Sequence, residues 1–175
     1  GSLGQAGIEI VTHPCTLEYH RCLFPWEEIC KLCEQYEYAT PQCCGMHVHF
    51  NRDAWHQQRT FHAKLVSFAA VNNKMIKQIA GRSEDPHGMF KYKLATRRWS
   101  RFRDLPSQVD ASGAPNRHYA VNLMPPRTIE VRAFAATLEP SRILANLELT
   151  HAMARFCYNQ PVNIFLSSAT WRSFL

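Results

Sequence analysis

The stretch "CGMHVHFN", residues 44–51, places two histidines at alternate positions of an apolar run. Successive side chains of a β-strand point to opposite faces of the sheet, so His47 and His49 share one face. The apolar side chains share the other face: Met46, Val48 and Phe50. The stretch therefore predicts a sheet that packs its apolar face on helices and carries its imidazoles on the open face.

Two further segments show the same alternation. In "TIEVRAFA", residues 128–135, Glu130 and Arg132 oppose two branched apolar residues, and in "GIEIV", residues 7–11, Glu9 opposes two isoleucines. The open face is expected to gather these groups: Glu9, His47, His49, Glu130 and Arg132. Two carboxylates on such a surface repel each other unless a cation lies between them, so the pattern favours a cation site. An ordinary solvent-facing polar surface is the alternative interpretation.

The rest of the chain alternates predicted helices with strands. Apolar residues near helical spacing predict helices over these ranges: 25–38, 57–81 and 140–158. "HYAVNLM", residues 118–124, is a further predicted strand, and the tail 163–175 is too apolar to stay free and is expected to dock on another surface. Residues 82–115 carry prolines, glycines and the basic stretch "KYKLATRRWSRFRD" and predict a long loop. The fold class is α+β, with a mostly antiparallel sheet backed by helices.

Composition limits the class of protein. The chain has 175 residues, 46% of them hydrophobic, which suits a single domain, 1–175, with its own core. It has no apolar run near the roughly 18 residues of a membrane-spanning helix and no secretory signal, so a cytoplasmic protein without membrane contact is expected. Seven cysteines, an odd number, favour reduced thiols over a disulfide framework. The net charge of +6 fits a nucleotide phosphate, a nucleic acid or an acidic substrate.

The cysteines support a rival interpretation, a zinc-stabilised nucleic-acid-binding domain. Cys30 and Cys33 precede the adjacent pair Cys43 and Cys44, and with the two histidines they supply enough soft ligands for Zn²⁺. Against this, the first pair lies near the apolar side of a predicted helix, where cysteine acts as a small hydrophobe. The basic loop, residues 91–103, has interleaved aromatic residues that suit single-stranded nucleic acid, but such a loop is more often a solvated lid. Nucleic-acid binding is therefore the less favoured interpretation.

Four segments of the chain, in this order, resemble the amidoligases, a branch of the glutamine synthetase and glutamate-cysteine ligase superfamily of carboxylate-amine ligases. They are "GIEIVTHP", "CGMHVHFN", "GRS" and "NLMPPRTIEVRAFAATLEPSRILANLELTHAM". The resemblance covers most of the chain, and its most specific parts are His-x-His after a glycine and Thr-Ile-Glu-x-Arg before a helix. It implies a glutamine synthetase catalytic-domain-like fold and an ATP-dependent ligase that joins a small-molecule or peptide carboxylate to an amine through an acyl phosphate.

The resemblance also implies roles for particular residues. The expected Mg²⁺ ligands are Glu9, His47, His49 and Glu130, and the expected catalytic residues are Glu130, Arg132 and His49. Arg132 is expected to neutralise the transferred phosphoryl group, while Arg82 and Arg117 are weaker candidates for contacts to ATP or a substrate carboxylate.

The chain departs from the family at its start. Members begin with another glutamate-bearing strand, so the sequence is expected to be N-terminally incomplete and to lack the first strand of that fold. A non-catalytic structural or interaction relative is therefore a further alternative. Self-association is expected because the superfamily contains ring-forming enzymes.

Overall fold

The computed structural model describes residues 9–36, 44–55, 60–81 and 119–175. Within these ranges the helices, in chain order, are α1 (Leu17–Cys22), α2 (Trp26–Gln35), α3 (Phe61–Val71), α4 (Asn73–Ile79), α5 (Pro140–Asn159), α6 (Val162–Ser168) and α7 (Trp171–Phe174). The strands are β1 (Gly45–Asn51), β2 (Val121–Asn122) and β3 (Thr128–Ala135). In the described part of the chain, no helix combines the length and apolar character needed to cross a membrane.

The three strands form one antiparallel sheet in the order β1-β3-β2. The central strand β3 pairs with β1 and β2 on its two sides, and Val131 lies opposite both Val48 and Val121. Branched and aromatic residues suit this doubly paired position because their side chains pack well on a pleated surface. The predicted α+β class, with an antiparallel sheet and helices, is confirmed.

One apolar cluster joins the sheet to the helices. The sheet contributes Val48, Ile129 and Val131, α3 contributes Phe61 and Phe68, α5 contributes Met153, and α6 contributes Phe165. Trp171 and Phe174 of α7 pack against the same cluster, although both are only partly buried. The prediction that the apolar tail does not stay free is confirmed, and the surface on which it docks is the core.

A β-bulge interrupts the pairing of β1 with β3. Met46 lies opposite Phe134, and Val48 lies opposite Val131. A step of two residues along β1 therefore matches a step of three residues along β3. The extra residue reverses the alternation of side chains beyond this point. Phe134 consequently joins the apolar core, although simple alternation would place it on the same face as Glu130 and Arg132.

The strand predicted at residues 8–11 is wrong for its described part. Residues 9–11 are irregular, and Ile10, whose side chain is predicted to face the core, is 54% exposed. A short strand is stable only when a neighbouring strand and a core cover it, and in the described ranges the sheet has no member from this segment. Glu9 is therefore not placed on the sheet.

The long helix predicted over 57–81 is divided at Asn72. The Asn72 side-chain amide donates hydrogen bonds to the Phe68 carbonyl and to the Ala169 carbonyl, each at 2.9 Å. Such local side-chain bonds compete with a continuous helix. The predicted end at Gly81 is confirmed, since its φ of 71° lies in the left-handed region that glycine adopts without strain.

Three other predicted elements are present as the expected type of element, but their bounds differ. The helix predicted over 25–38 is α2, the helix predicted over 140–158 is α5, and the strand predicted over 118–124 shortens to the two residues of β2. The predicted loop at 82–115 lies outside the described residues, as do Arg82, Arg117 and Cys43.

Candidate active site

Glu130 lies in the middle of the central strand, with a neighbour on each side. The pairing places His49 of β1 and Asn122 of β2 directly opposite it. Side chains that face each other across neighbouring strands have Cβ atoms only about 4.5–5.5 Å apart, so His49 and Asn122 each reach Glu130. The register of the sheet therefore fixes the centre of the site.

Three nitrogen-bearing groups converge on Oε1 of Glu130. Arg132 donates to this oxygen from Nη1 at 2.6 Å, His47 Nδ1 lies 3.1 Å from it, and His49 Nε2 lies 3.5 Å from it. The other carboxylate oxygen, Oε2, accepts a hydrogen bond from Asn122 Nδ2 at 2.6 Å. Both oxygens of Glu130 are thus held by neighbours on the sheet.

The carboxylate of Glu130 stays ionised although it is only 5% exposed. Burial by itself would raise its pKa, but hydrogen bonds from His47, His49 and Asn122, together with the charge of Arg132, hold the pKa well below its usual range. Arg132 is 7% exposed. The site is therefore built around a buried, hydrogen-bonded ion pair, not on the open polar face that alternation alone predicts.

The two imidazoles form the solvent side of the site. The His47 side chain is 25% exposed and the His49 side chain 47%. His49 uses both ring nitrogens, because Nδ1 lies 3.1 Å from the Thr128 hydroxyl. When His47 Nδ1–H donates to Glu130, Nε2 of the neutral ring carries the lone pair, the form in which imidazole accepts a proton or binds a metal.

One buried donor of the site lacks an acceptor. Nε of Arg132 is buried and has no hydrogen-bond partner among the described residues. A buried donor without a partner costs about 1–3 kcal/mol, so an acceptor is expected beside it. A bound anion or a residue outside the described ranges would supply that acceptor.

The structure brings together four of the five groups that alternation predicts: His47, His49, Glu130 and Arg132. Glu9 lies exposed in an irregular segment, outside this cluster. The sequence patterns do not assign a role to Asn122, although the chain contains a signal for its pairing with Glu130. Its strand leads through a short turn at Pro125 and Pro126 into β3, and antiparallel pairing through that turn places Asn122 opposite Glu130.

Within the described ranges, no group of three or more His, Cys, Asp or Glu side chains is arranged to hold a metal ion. In the site itself, Glu130 is the acceptor at the centre of its neighbours, so these side chains contact one another and do not surround a common point. Two cysteines of the zinc interpretation, Cys30 and Cys33, are buried on α2 as core residues, whereas Cys44 is exposed. Burial raises the pKa of the Cys30 thiol, which disfavours the thiolate that binds zinc.

Comparison of the chain with protein-family models, with curated proteins and with solved structures finds no match. The resemblance to the amidoligases therefore stays a prediction.

Proposed function

We propose that the protein is an ATP- and Mg²⁺-dependent carboxylate-amine ligase with a glutamine synthetase-like catalytic fold, and that Glu130 is the centre of its active site. One observation carries the proposal. A buried carboxylate is kept ionised beside Arg132 and two imidazoles on a single face of the sheet. Titratable groups so strongly perturbed by specific partners cluster at functional sites.

Mg²⁺ would arrive with the nucleotide, since the described side chains do not themselves surround an ion position. Mg²⁺ is usually held by one or two protein carboxylates, and waters and substrate phosphates fill its remaining positions. Glu130 would supply one ionised oxygen ligand, and His47 or His49 would have to turn away from Glu130 Oε1 before it could bind the same ion. Glu9 stays a predicted second carboxylate, which would require residues 9–11 to approach the sheet.

Arg132 fits the role of phosphate contact. Among the described residues, its Nε–H has no acceptor, while Nη1 donates to Glu130. Guanidinium groups bind phosphate oxygens with directed, charge-assisted hydrogen bonds. Phosphoryl transfer needs positioning and charge stabilisation more than covalent help, and a buried arginine anchored by a carboxylate provides both.

The proposed reaction has two chemical steps. A substrate carboxylate oxygen attacks the γ-phosphorus of ATP. The bond from this phosphorus to the β–γ bridging oxygen breaks, and ADP leaves with the electron pair. The amine nitrogen then attacks the acyl carbon, phosphate leaves, and the nitrogen loses a proton. ATP and Mg²⁺ supply the activated phosphoryl group and its charge neutralisation. The residues of the site hold the reacting groups in place and exclude water on the buried side of Glu130.

The test traps the acyl phosphate with hydroxylamine. The protein is incubated with ATP, Mg²⁺, hydroxylamine and pools of amino acids and dicarboxylates, and acyl hydroxamate and ADP are measured together. We expect both products from the wild-type chain and neither from Glu130→Gln, whose far-UV circular dichroism spectrum stays that of the wild type. The control is Glu148→Gln, which removes a surface carboxylate paired with Arg21 and should retain full turnover.

A second variant covers the case in which Glu130→Gln fails to fold. His49→Gln changes a half-exposed side chain and leaves the Glu130–Arg132 pair in place, so its fold is expected to persist while turnover falls. Wild-type turnover in either folded variant would rule out this site. A wild-type chain that binds ATP with Mg²⁺ but forms no hydroxamate from any pool would favour the non-catalytic relative.

A further inference from the structure

Three side chains on one face of the sheet form a chain of contacts from the surface to the buried carboxylate. Thr128 Oγ1 lies 3.1 Å from His49 Nδ1, and His49 Nε2 lies 3.5 Å from Glu130 Oε1. Thr128 is partly exposed and the His49 side chain is 47% exposed, whereas Glu130 is buried. A hydroxyl, an imidazole and a carboxylate in this order are the arrangement by which enzymes activate a weak nucleophile.

The carboxylate determines which nitrogen of His49 carries the proton. Glu130 is ionised, because its neighbours hold its pKa well below the usual range, and an ionised carboxylate can only accept hydrogen bonds. A neutral His49 ring therefore places its N–H at Nε2, towards Glu130, and its lone pair at Nδ1. The Thr128 hydroxyl then donates to Nδ1, which is the direction of hydrogen bonding that a general base requires.

The backbone that carries Thr128 is held on its neighbouring strand. Thr128 lies opposite Asn51 in the register of the sheet. The backbone N–H of Arg52 donates to the Arg127 carbonyl at 3.0 Å, and Arg52 Nη2 donates to the carbonyls of Pro125 and Thr128 at 3.0 and 3.4 Å. These bonds secure the turn that leads into β3, so the hydroxyl is presented to His49 from a fixed position.

The other end of the chain of contacts is held as firmly. Arg132 donates to Glu130 Oε1 and Asn122 donates to Oε2, each at 2.6 Å. The carboxylate therefore needs no rearrangement to stabilise the imidazolium that forms when His49 takes up a proton. An ordinary contact between threonine and histidine on neighbouring strands lacks a buried, ionised carboxylate behind the imidazole, and this carboxylate is what distinguishes the Thr128–His49 contact.

We propose that Thr128 is a nucleophile activated by His49 and Glu130, and that it takes the acyl group of activated esters. Oγ1 attacks the acyl carbon while its proton passes to His49 Nδ1. The bond from this carbon to the leaving oxygen breaks, and the leaving alcohol takes that proton. Water then attacks the acyl-threonine, with His49 again receiving and returning a proton, and the products are a carboxylic acid and free Thr128.

Activated esters are the expected class of substrate because the three residues supply a nucleophile, a base and an orienting carboxylate. A good leaving group departs without further assistance, whereas an amide nitrogen would need more. This activity requires neither ATP nor a metal ion. It therefore goes beyond the proposed ligase and does not rest on it.

The test measures labelling of the full chain by a fluorophosphonate, without ATP and with a chelator present. The hydroxyl oxygen of an activated nucleophile displaces fluoride from phosphorus, its proton passes to the base, and the phosphorus–oxygen bond that forms is located by peptide mass spectrometry. We expect the label on Thr128. Hydrolysis of p-nitrophenyl acetate is measured in parallel as turnover of an activated ester.

Three variants separate the roles of the two outer residues. Thr128→Val keeps the shape of the side chain and should lose both label and turnover, while Thr128→Ser should carry the label on residue 128. His49→Gln keeps a hydrogen-bonding side chain but cannot act as a base. Because general base catalysis typically contributes about 100- to 10,000-fold, we expect its labelling rate to fall by that factor.

Two controls cover reactions at other side chains. Thr137→Val removes a hydroxyl that accepts the backbone N–H of Glu139 at 3.1 Å, and His151→Gln removes an exposed imidazole of α5. Both variants should react at the wild-type rate. Ester turnover that is unchanged in Thr128→Val, or that falls equally in His151→Gln and His49→Gln, would show that imidazoles attack the ester without Thr128 and would overturn the proposal.

The labelling results decide the remaining cases. A wild-type chain labelled at Thr137 as fast as at Thr128 would mean that the hydroxyl is not activated. A wild-type labelling rate in His49→Gln, with an unchanged far-UV circular dichroism spectrum, would remove His49 as the base. If Thr128→Val does not fold, Thr128→Ser decides, since absence of label from residue 128 in this variant and in the wild type overturns the proposal.

Discussion

Burial determines the chemistry of the individual thiols. Cys30 and Cys33 on α2 and Cys157 on α5 are buried, while Cys22 at the end of α1 is exposed. Burial raises the pKa of Cys157 to about 12, despite the opposing effect of Lys64, and it also raises the pKa of Cys30. A thiol that stays protonated and covered packs like a small hydrophobic side chain. These cysteines are therefore components of the core.

Native alkylation should distinguish the thiols. The thiolate is the reactive form, so iodoacetamide at about pH 7.5 is expected to modify Cys22 first and to leave Cys30 and Cys157 unmodified in the folded chain. Peptide mapping by mass spectrometry measures the modification at each site. Denatured protein is the control and should react at all three. Modification of native Cys30 as fast as that of Cys22 would contradict the burial of Cys30 and return the α2 pair to consideration as zinc ligands.

At the scale of elements, the sequence predicts those helices and strands that a regular period encodes. β1, β3 and α5 carry clear two-residue or helical periods, and the structure contains all three near their predicted bounds. Features that depend on a distant partner were not predictable in this way. The bulge that turns Phe134 into the core depends on pairing with Met46, and the break at Asn72 depends on the Ala169 carbonyl of the tail.

The same distinction, between a period within one strand and pairing with a distant strand, explains which residues of the site could be predicted. Alternation along β1 and β3 places His47, His49, Glu130 and Arg132 on one face, and the structure brings them together. The contribution of Asn122 requires the register between β2 and β3, which no single strand encodes. The prediction for Glu9 was wrong because alternation over a few residues shows only which way side chains would point in a strand. It does not show whether a neighbouring strand is present to pair with that segment.

Docking of the C-terminal helices on the core can be tested with two adjacent residues of α6. Phe165 is 2% exposed within the core cluster, and Leu166 is 79% exposed. Phe165→Ala removes a buried ring and should lower the free energy of unfolding by about 3–5 kcal/mol. Leu166→Ala, the control, should change it by less than about 0.5 kcal/mol. Urea denaturation measures both, and similar small effects in the two variants would mean that α6 does not pack on the core in solution.

Across the whole molecule, the lowered pKa values of the histidines and of Glu130 act on stability in one direction. Burial lowers the pKa of His20 and of His62, with smaller contributions from His13 and Arg52 respectively, so both imidazoles take up a proton less readily in the folded chain than in the unfolded chain. Glu130 likewise binds its proton less readily when folded, because its neighbours outweigh its burial. In each case the unfolded chain binds more protons over the range between the two pKa values, so acid favours unfolding.

The protein should therefore lose stability in two stages as the pH falls. The contribution of His20 and His62 is complete above the unfolded imidazole pKa of about 6.5 and declines as the pH falls below it, while that of Glu130 is complete above an unfolded pKa of about 4.3 and declines below it. Each proton taken up on unfolding contributes a slope of about 1.4 kcal/mol per pH unit. Urea denaturation at a series of pH values measures the slope. His62→Gln should flatten the first stage and leave the second unchanged, because its substitute does not titrate. A free energy of unfolding that rises as the pH falls from about 7 to 5 would contradict the burial of both imidazoles.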